Sequence, residues 1–399
     1  MRIIHTSDWH IGQNFYGYER DDEHRYFFEQ LAEIMGRERP DALVVSGDIF
    51  HTAVPSAAAQ RLFVDGVLML HDASPNSTIV ITAGNHDGAS RLEAQSQLWQ
   101  RLGIKVIGGT RIDTDKEFCA EQFLVNIRGI GVVVAVPYFH PSYYPAVHPD
   151  VMREDRQSEF FAALMQAAQR DECPVVMMAH LAVEGANLRG HEDVPVGGML
   201  KDNIDLLGDG YDYLALGHIH MPQRIDNRSY YCGTPLPVSF SEDYDHYVNL
   251  VDIQAHGTVP GVTQLQLQLK RGVKTLPPDG GILDEALALL EAMAQTDQSY
   301  VRLLVEPEGG PLPADAEDRA RKVAQGKDCR FCEIRIKPRK EATKDSQRLK
   351  IVEVQDFRSI EPIEVAKRHY RDKIGQDMSQ TISEMITKAI EIAQNIRTL

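Results

Sequence analysis

Short apolar runs recur through the first two thirds of the chain, and most of them end in a cluster of polar residues. Ile3 to Thr6, Ala42 to Ser46 and Thr78 to Thr82 are continuously apolar or nearly so, and each is too short for a helix. Between them lie stretches of helical period: Glu19 to Arg37, with Phe27, Phe28, Leu31 and Ile34 on one side, then Ser56 to His71, then Leu92 to Leu102. Apolar strands spaced by helices predict a parallel sheet covered on both faces. Later strands are expected at Val132 to Val136, Val175 to Ala179, Tyr213 to Leu216 and Tyr247 to Asp252. Little helix separates them from about Tyr211 onward, which predicts a second, more antiparallel sheet. The expected class is therefore α/β, a four-layer αββα sandwich over residues 1–270.

The pattern shifts near Lys270. Thr275-Leu276-Pro277-Pro278-Asp279-Gly280-Gly281 has the composition of a linker. Helix, strand, helix and strand are then expected at Leu283 to Ala294, Tyr300 to Glu306, Ala316 to Gln325 and Arg330 to Ile336. They make a small α/β cap domain over residues 275–338. Residues 339–399 read as a basic linker followed by a helical arm. Met378, Ile382, Met385, Ile386, Ala389, Ile390, Ala393 and Ile396 recur there at helical spacing, which suits packing on the chain's own domain or docking on a partner.

Composition narrows the function. The chain has 399 residues, room for two or three domains. No apolar run approaches the roughly 20 residues of a membrane span, and Asp8 and His10 interrupt the first apolar run, unlike a secretory signal. A cytoplasmic protein is expected. The five cysteines are scattered, against a disulfide framework. Cys329 and Cys332 sit three apart on an expected strand, so they face opposite sides and cannot share a metal. A net charge of -16 excludes a general polyanion binder, so any attraction for nucleic acid must be local. One basic stretch exists, with Arg335, Lys337, Arg339, Lys340, Lys344, Arg348 and Lys350 set against Glu341 and Asp345. It fits a solvated linker as well as DNA contact.

The polar clusters carry the chemistry. Asp8-Trp9-His10, Gly47-Asp48, Gly84-Asn85-His86-Asp87, His180 and Gly217-His218-Ile219-His220 each stand where a strand should end, the rim at which open α/β sheets bind ligands. Asp, Asn and His in this mixture suit borderline divalent metals such as Mn, Fe or Zn rather than Ca. Phosphodiester hydrolysis needs a strong nucleophile at neutral pH and relief of charge on the phosphoryl oxygens, which two metals about 3.5–4 Å apart provide. Asp48 is the expected bridge, with Asp8, His10 and His220 completing one site and Asn85, His180 and His218 the other. The Asp8/His10 and His218/His220 pairs are expected to project together from extended backbone. His86 is left to move a proton.

The order of these motifs resembles the calcineurin-like metallophosphoesterases. Within them the SbcD type of nuclease subunit is the better match. It rests on His5-Thr6-Ser7-Asp8-Trp9-His10-Ile11-Gly12-Gln13, on Val45-Ser46-Gly47-Asp48-Ile49-Phe50, on Tyr213 to His220, and on Tyr231-Cys232-Gly233-Thr234-Pro235 through Ser239-Phe240-Ser241-Glu242. Ala179 stands where that family commonly has Gly, and Thr234 where it has Ser. The resemblance implies a Mn-dependent enzyme that is an exonuclease on duplex ends and an endonuclease on single strands and hairpins. It also implies a homodimer, with the helices from Ser56 and Leu92 as candidate contacts, and an SMC-like ATPase partner of the SbcC type docked on Ile351 to Leu399. His86 would donate a proton to the leaving oxygen or stabilise the transition state. His51 matches a position where some relatives carry a histidine near the scissile phosphate; a plain loop histidine is its other reading. No G-x-x-x-x-G-K-[ST] loop occurs, so any ATP dependence would come from the partner. Two further readings stay open: a small-molecule phosphodiesterase or phosphomonoesterase of the same superfamily, and a non-catalytic scaffold for DNA ends.

Overall fold

The structure, a computed structural model, describes residues 1–109, 118–168, 173–190, 201–306 and 311–337, with single positions between 363 and 387. It comprises two compact units, Met1–Pro338 and Arg339–Leu399. In the first, four parallel strands open the chain: β1 (Arg2–Thr6), β2 (Ala42–Ser46), β3 (Thr78–Thr82) and β4 (Ile104–Ile107). Helices α1 (Asp21–Glu38) and α2 (Ala57–Ala73) connect the first three. The helix expected from Leu92 to Leu102 is instead two short ones, α3 (Ala89–Glu93) and α4 (Ser96–Gln100), broken at Ala94–Gln95.

A second six-stranded sheet follows, built from β5 (Leu124–Ile127), β6 (Gly131–Ala135), β7 (Val175–His180), β8 (Tyr213–Gly217), β9 (Gln223–Arg224) and β10 (Ser229–Tyr231), with α5 (Arg156–Ala168) between β6 and β7. Its interior is not antiparallel as expected. β6, β7, β8 and β10 run parallel, and only the edge strands β5 and β9 oppose their neighbours. β11 (Tyr247–Asp252) and β12 (Gly261–Gln266) then return to the first sheet, where β11 lies antiparallel to β1. Short connections do not force two strands into one sheet; β11 finds its partner across the molecule.

Alternation along each strand divides it between two cores. Ile3, Val44, Val80, Val133, Val176, Met178 and Ala215 form one cluster between the sheets. Ile4, Leu43, Val45, Ile79 and Ile81 face the other way onto Phe27, Phe28, Leu31 and Leu70 of α1 and α2. Val134, Met177, Leu214 and Leu216 face Phe160, Phe161 and Leu164 of α5. The layers are thus helices, sheet, sheet and helix. Because both faces are dry, these strands are apolar throughout, and their polar residues are confined to the ends.

The third sheet joins β13 (Val273–Gly281), β14 (Tyr300–Val305) and β15 (Arg330–Ile336), all parallel. Helices α6 (Leu283–Ala292) and α7 (Ala316–Ala324) cover one face, packing Leu283, Leu287, Leu290 and Ala320 on Val301, Leu303 and Phe331. Its other face meets the first domain through Phe15, Phe240 and Tyr300. The segment expected to be a linker is therefore strand β13. It pairs on one side only and its register breaks between Leu276 and Gly281, which is where an edge strand tolerates Pro277 and Pro278 with no N–H to donate. Cys329 packs with the α6–α7 core and Cys332 with the opposite face, and both are free thiols. In the second unit, single helical positions are described between Ile363 and Thr387, with Met385 exposed and Ile382 and Ile386 half-buried. Ala389, Ile390, Ala393 and Ile396 of the apolar stripe, and the basic residues from Arg339 to Lys350, lie outside the described residues.

Candidate metal centre

The two sheets raise their carboxyl ends to one rim. Asp8 and His10 leave β1, Asp48 leaves β2, Asn85 and His86 leave β3, His180 closes β7, and His218 and His220 leave β8. None of these nine candidates, His51 included, lies apart from the rest. Asp8, His10 and His220 converge as one buried group able to hold a cation, Asp8, Asp48 and His180 as a second, and His10, His51 and His86 as a third, partly exposed group. His180 Nε2 is 3.5 Å from Asp48 Oδ2, and His10 Nε2 is 3.8 Å from the same oxygen. Asn85 Oδ1 lies 3.0 Å from His180 Nε2 and 2.9 Å from His218 Nδ1. The expected i, i+2 projection from extended backbone is not how the pairs converge. Asp8, His10, Asp48 and His218 all have positive φ (53°, 46°, 49° and 91°). Four of the seven non-glycine residues with positive φ among those described are candidate ligands. That conformation costs on the order of 1–3 kcal/mol per residue, and it persists where the surrounding fold imposes it.

Two glycines make the closeness possible. A Cβ at Gly84 would lie 2.1 Å from Asp48 Oδ1, and one at Gly217 would lie 1.8 Å from the Ser46 carbonyl oxygen. What Gly84 supplies is space; its φ is ordinary.

Hydrogen bonds set the imidazoles. His180 Nδ1–H donates to the Ser46 carbonyl (2.8 Å), His220 Nδ1–H to Glu242 (3.0 Å) and His86 Nδ1–H to the His51 carbonyl (3.0 Å). Each acceptor has only lone pairs to offer, so the proton is placed on Nδ1 and Nε2 faces the centre. His10 Nε2 and His220 Nε2 stand 3.3 Å apart, close enough for one cation to take both.

Electrostatics agree with such an ion. Burial raises the Asp8 carboxyl. Burial also opposes charge on Asp48, yet His180 and His10 hold it well below the usual carboxylate range. In return, against the effect of burial, Asp48 lifts the His180 imidazole to about 9. A proton on His180 offsets the Asp48 charge, the role a divalent cation would also fill. Burial keeps His10 and His51 below the ordinary imidazole range, the neutral form that ligates metal. Two buried carboxylates, an amide oxygen and several imidazole nitrogens, brought together on one rim, fit divalent cations.

The calcineurin-like phosphoesterase family matches residues 1–222, a span holding all nine candidates. The SbcD component of the SbcCD nuclease from Rhodobacter capsulatus is 35% identical over 317 residues, covering 75% of this chain and 77% of that protein. The chain belongs to the SbcD family. The corresponding protein of Escherichia coli K12 is 30% identical over 296 residues, 70% of this chain and 71% of its own length. That of Bacillus subtilis is 32% identical over 267 residues, 63% and 66% respectively.

Around this SbcD-family centre the structure adds residues that the motifs did not single out for a role. Asp87 accepts backbone N–H from Gly84 (2.8 Å), Phe50 (2.8 Å) and Ile49 (3.0 Å), tying the loop after β3 to the loop after β2. Glu242, buried, takes the Nδ1–H of His220 with one oxygen and the Thr234 hydroxyl (2.7 Å) with the other. Twenty-two residues separate Glu242 from His220, so no local spacing announces the pair. The Thr234 hydroxyl does here what a serine would do. Tyr138 packs its ring edge-on against His180, and burial together with the Asp48 charge raises its hydroxyl pKa.

Proposed function

We propose that this chain is the catalytic subunit of a metal-dependent DNA nuclease working at a two-cation centre. Asp48 would serve both positions, with Asp8, His10 and His220 on one side and Asn85, His180 and His218 on the other. Mn2+ is the ion that the family resemblance favours. When bound, the cations make a water easier to deprotonate and offset charge on the phosphoryl oxygens. The protein does the rest. The glycines and the left-handed turns hold both carboxylates in place, and Glu242 and the Ser46 carbonyl fix the His220 and His180 rings. His86 has its Nε2 4.0 Å from Asp48 Oδ2 and its side chain 41% exposed; with Nδ1–H held by the His51 carbonyl, a second proton, on Nε2, would be the one it gives to the leaving oxygen. The His51 carbonyl aims that ring, and the His51 ring lies 5.7 Å from it, positioned to meet the phosphate.

The observation that carries this reading is the Asp48 carboxylate, buried and within 4 Å of imidazoles from β1 and β7. The names of the relatives, each a component of a nuclease, support a nucleic acid as the substrate, and the family resemblance favours DNA. The finer activities follow from the family resemblance: exonuclease on duplex ends, endonuclease on single strands and hairpins, in repair and recombination. So do a homodimer, an SMC-like ATPase partner of the SbcC type bound by residues 339–399, residues 275–338 as a cap, and a cytoplasmic site of action. Among the described residues no helix is long and apolar enough to cross a membrane.

The test is Mn2+-supplemented cleavage of a DNA hairpin, with and without the ATPase partner, beside bis-p-nitrophenyl phosphate. Hairpin cleavage is expected with Mn2+, with ATP dependence only when the partner is present. Turnover of the small ester alone would point to a small-molecule phosphoesterase.

A further inference from the structure

The loop that leaves β6 starts inside the centre and ends in solvent. Tyr138 N–H donates to the Ala83 carbonyl (2.8 Å), two residues before Asn85, and its ring meets the His180 ring at 6.2 Å. Phe139 and Tyr144 then turn inward, each packing its ring 5.6 Å from Phe160. His140 and Tyr143 turn outward, with rings 5.5 Å apart. Pro141 opens the short turn Pro141–Tyr143, and Ser142 N–H donates to His140 Nδ1 (3.2 Å). Tyr143 is 73% exposed, the most exposed large hydrophobic side chain among the described residues. Inward neighbours on both sides make it a ring held out by an anchored loop.

We infer that Tyr143, with His140 beside it, is a stacking platform for an unpaired nucleobase of the strand that enters the metal centre. This deepens the nuclease reading and rests on it. Three considerations carry it. First, a chain of net charge -16 gains little from general phosphate attraction, so affinity for a strand must come from local contacts that do not depend on charge. A tyrosine ring offers such a contact at low entropic cost. Second, every base has a π-face, so stacking tolerates any sequence, as suits a nuclease. Third, five residues link Tyr138 to Tyr143, which keeps their Cα atoms within about 18 Å, a distance spanned by a few nucleotides. Bases inside a duplex are stacked on one another and present no free face. The platform therefore favours loops, single strands and frayed ends.

The experiment compares the wild-type chain with Tyr143→Ala and Tyr143→Phe in Mn2+. It uses a single-stranded oligonucleotide, the same strand with abasic sites, and bis-p-nitrophenyl phosphate. For Tyr143→Ala, the kcat/KM on the oligonucleotide relative to that on the small ester should fall about 10-fold, through KM. Tyr143→Phe, which keeps the ring face, should restore it, and the penalty should vanish on the abasic strand. Binding of a 2-aminopurine strand, read by fluorescence quenching, gives the same comparison without catalysis. The nuclease reading can then fail, through absent DNA turnover in the wild type, independently of the platform. An unchanged ratio, an equal penalty on the abasic strand, or equal quenching by wild type and Tyr143→Ala would overturn the inference. So would a Tyr143→Ala chain that binds 2-aminopurine normally but changes its sedimentation mass, which would make Tyr143 a contact between copies.

Discussion

Asp48 and Asp212 are both buried and both have histidine neighbours, and they do opposite things. Asp212 accepts the Val175 N–H (2.8 Å), the Gly257 N–H (2.6 Å), the His256 ring (3.0 Å) and the Arg228 guanidinium (3.4 Å). Its valences are filled by donors fixed in the fold, and its φ is ordinary. Asp48 accepts one backbone N–H, from His86 (2.9 Å), stands in a left-handed turn, and otherwise faces the Nε2 atoms of His180, His10 and His86 at 3.5, 3.8 and 4.0 Å. A carboxylate saturated by fixed donors staples the fold. A carboxylate ringed by imidazole nitrogens, which can trade a proton for a metal ion, suits a cation, and backbone strain collects around it rather than around the staple.

That contrast can be broken in order of effect. Asp48→Ala should abolish hydrolysis, since both proposed cation positions would lose their shared ligand; DNA cleavage surviving above about one thousandth of wild type would refute the bridge. His86→Ala should lower kcat by about 10²- to 10⁴-fold while Mn2+ affinity stays as in wild type. A parallel loss of metal would make His86 a ligand rather than a proton donor. Glu242→Ala frees the His220 ring, and Mn2+ affinity measured by calorimetry should weaken about 10- to 100-fold. Asp212→Ala should do the reverse of all three. Denaturant melts should show a loss of about 3 kcal/mol, with Mn2+ affinity unmoved. A metal defect there would erase the distinction between the two aspartates.

Much of this was legible in the chain, for a physical reason. Strands buried on both faces must be apolar throughout, so β2, β3, β7 and β8 stand out, and the polar residues that end them have nowhere to go except the rim. The same logic pointed to eight of the nine rim residues; His51 was offered only by the family resemblance. Local pattern failed where the decisive partner was remote. β11 pairs with β1 across some 245 residues (Ile4 with Leu250), so its sheet could not be inferred from its neighbours. Pro277 and Pro278 imitate a linker because an unpaired edge and a linker both excuse a missing N–H. Glu242 meets His220 only once both loops are folded. α5 was not among the expected elements, although Phe160, Phe161, Leu164, Met165 and Ala168 carry helical spacing; here the signal was present and its partners in the second sheet give it meaning.

The central claim is that Asp48 joins two cations, and Mn2+ titration of the metal-free chain tests it most directly. Calorimetry should count two ions per wild-type chain and no more than one for Asp48→Asn, with circular dichroism showing that the variant is folded. One ion in the wild type, or two retained by a folded Asp48→Asn chain, would contradict the account.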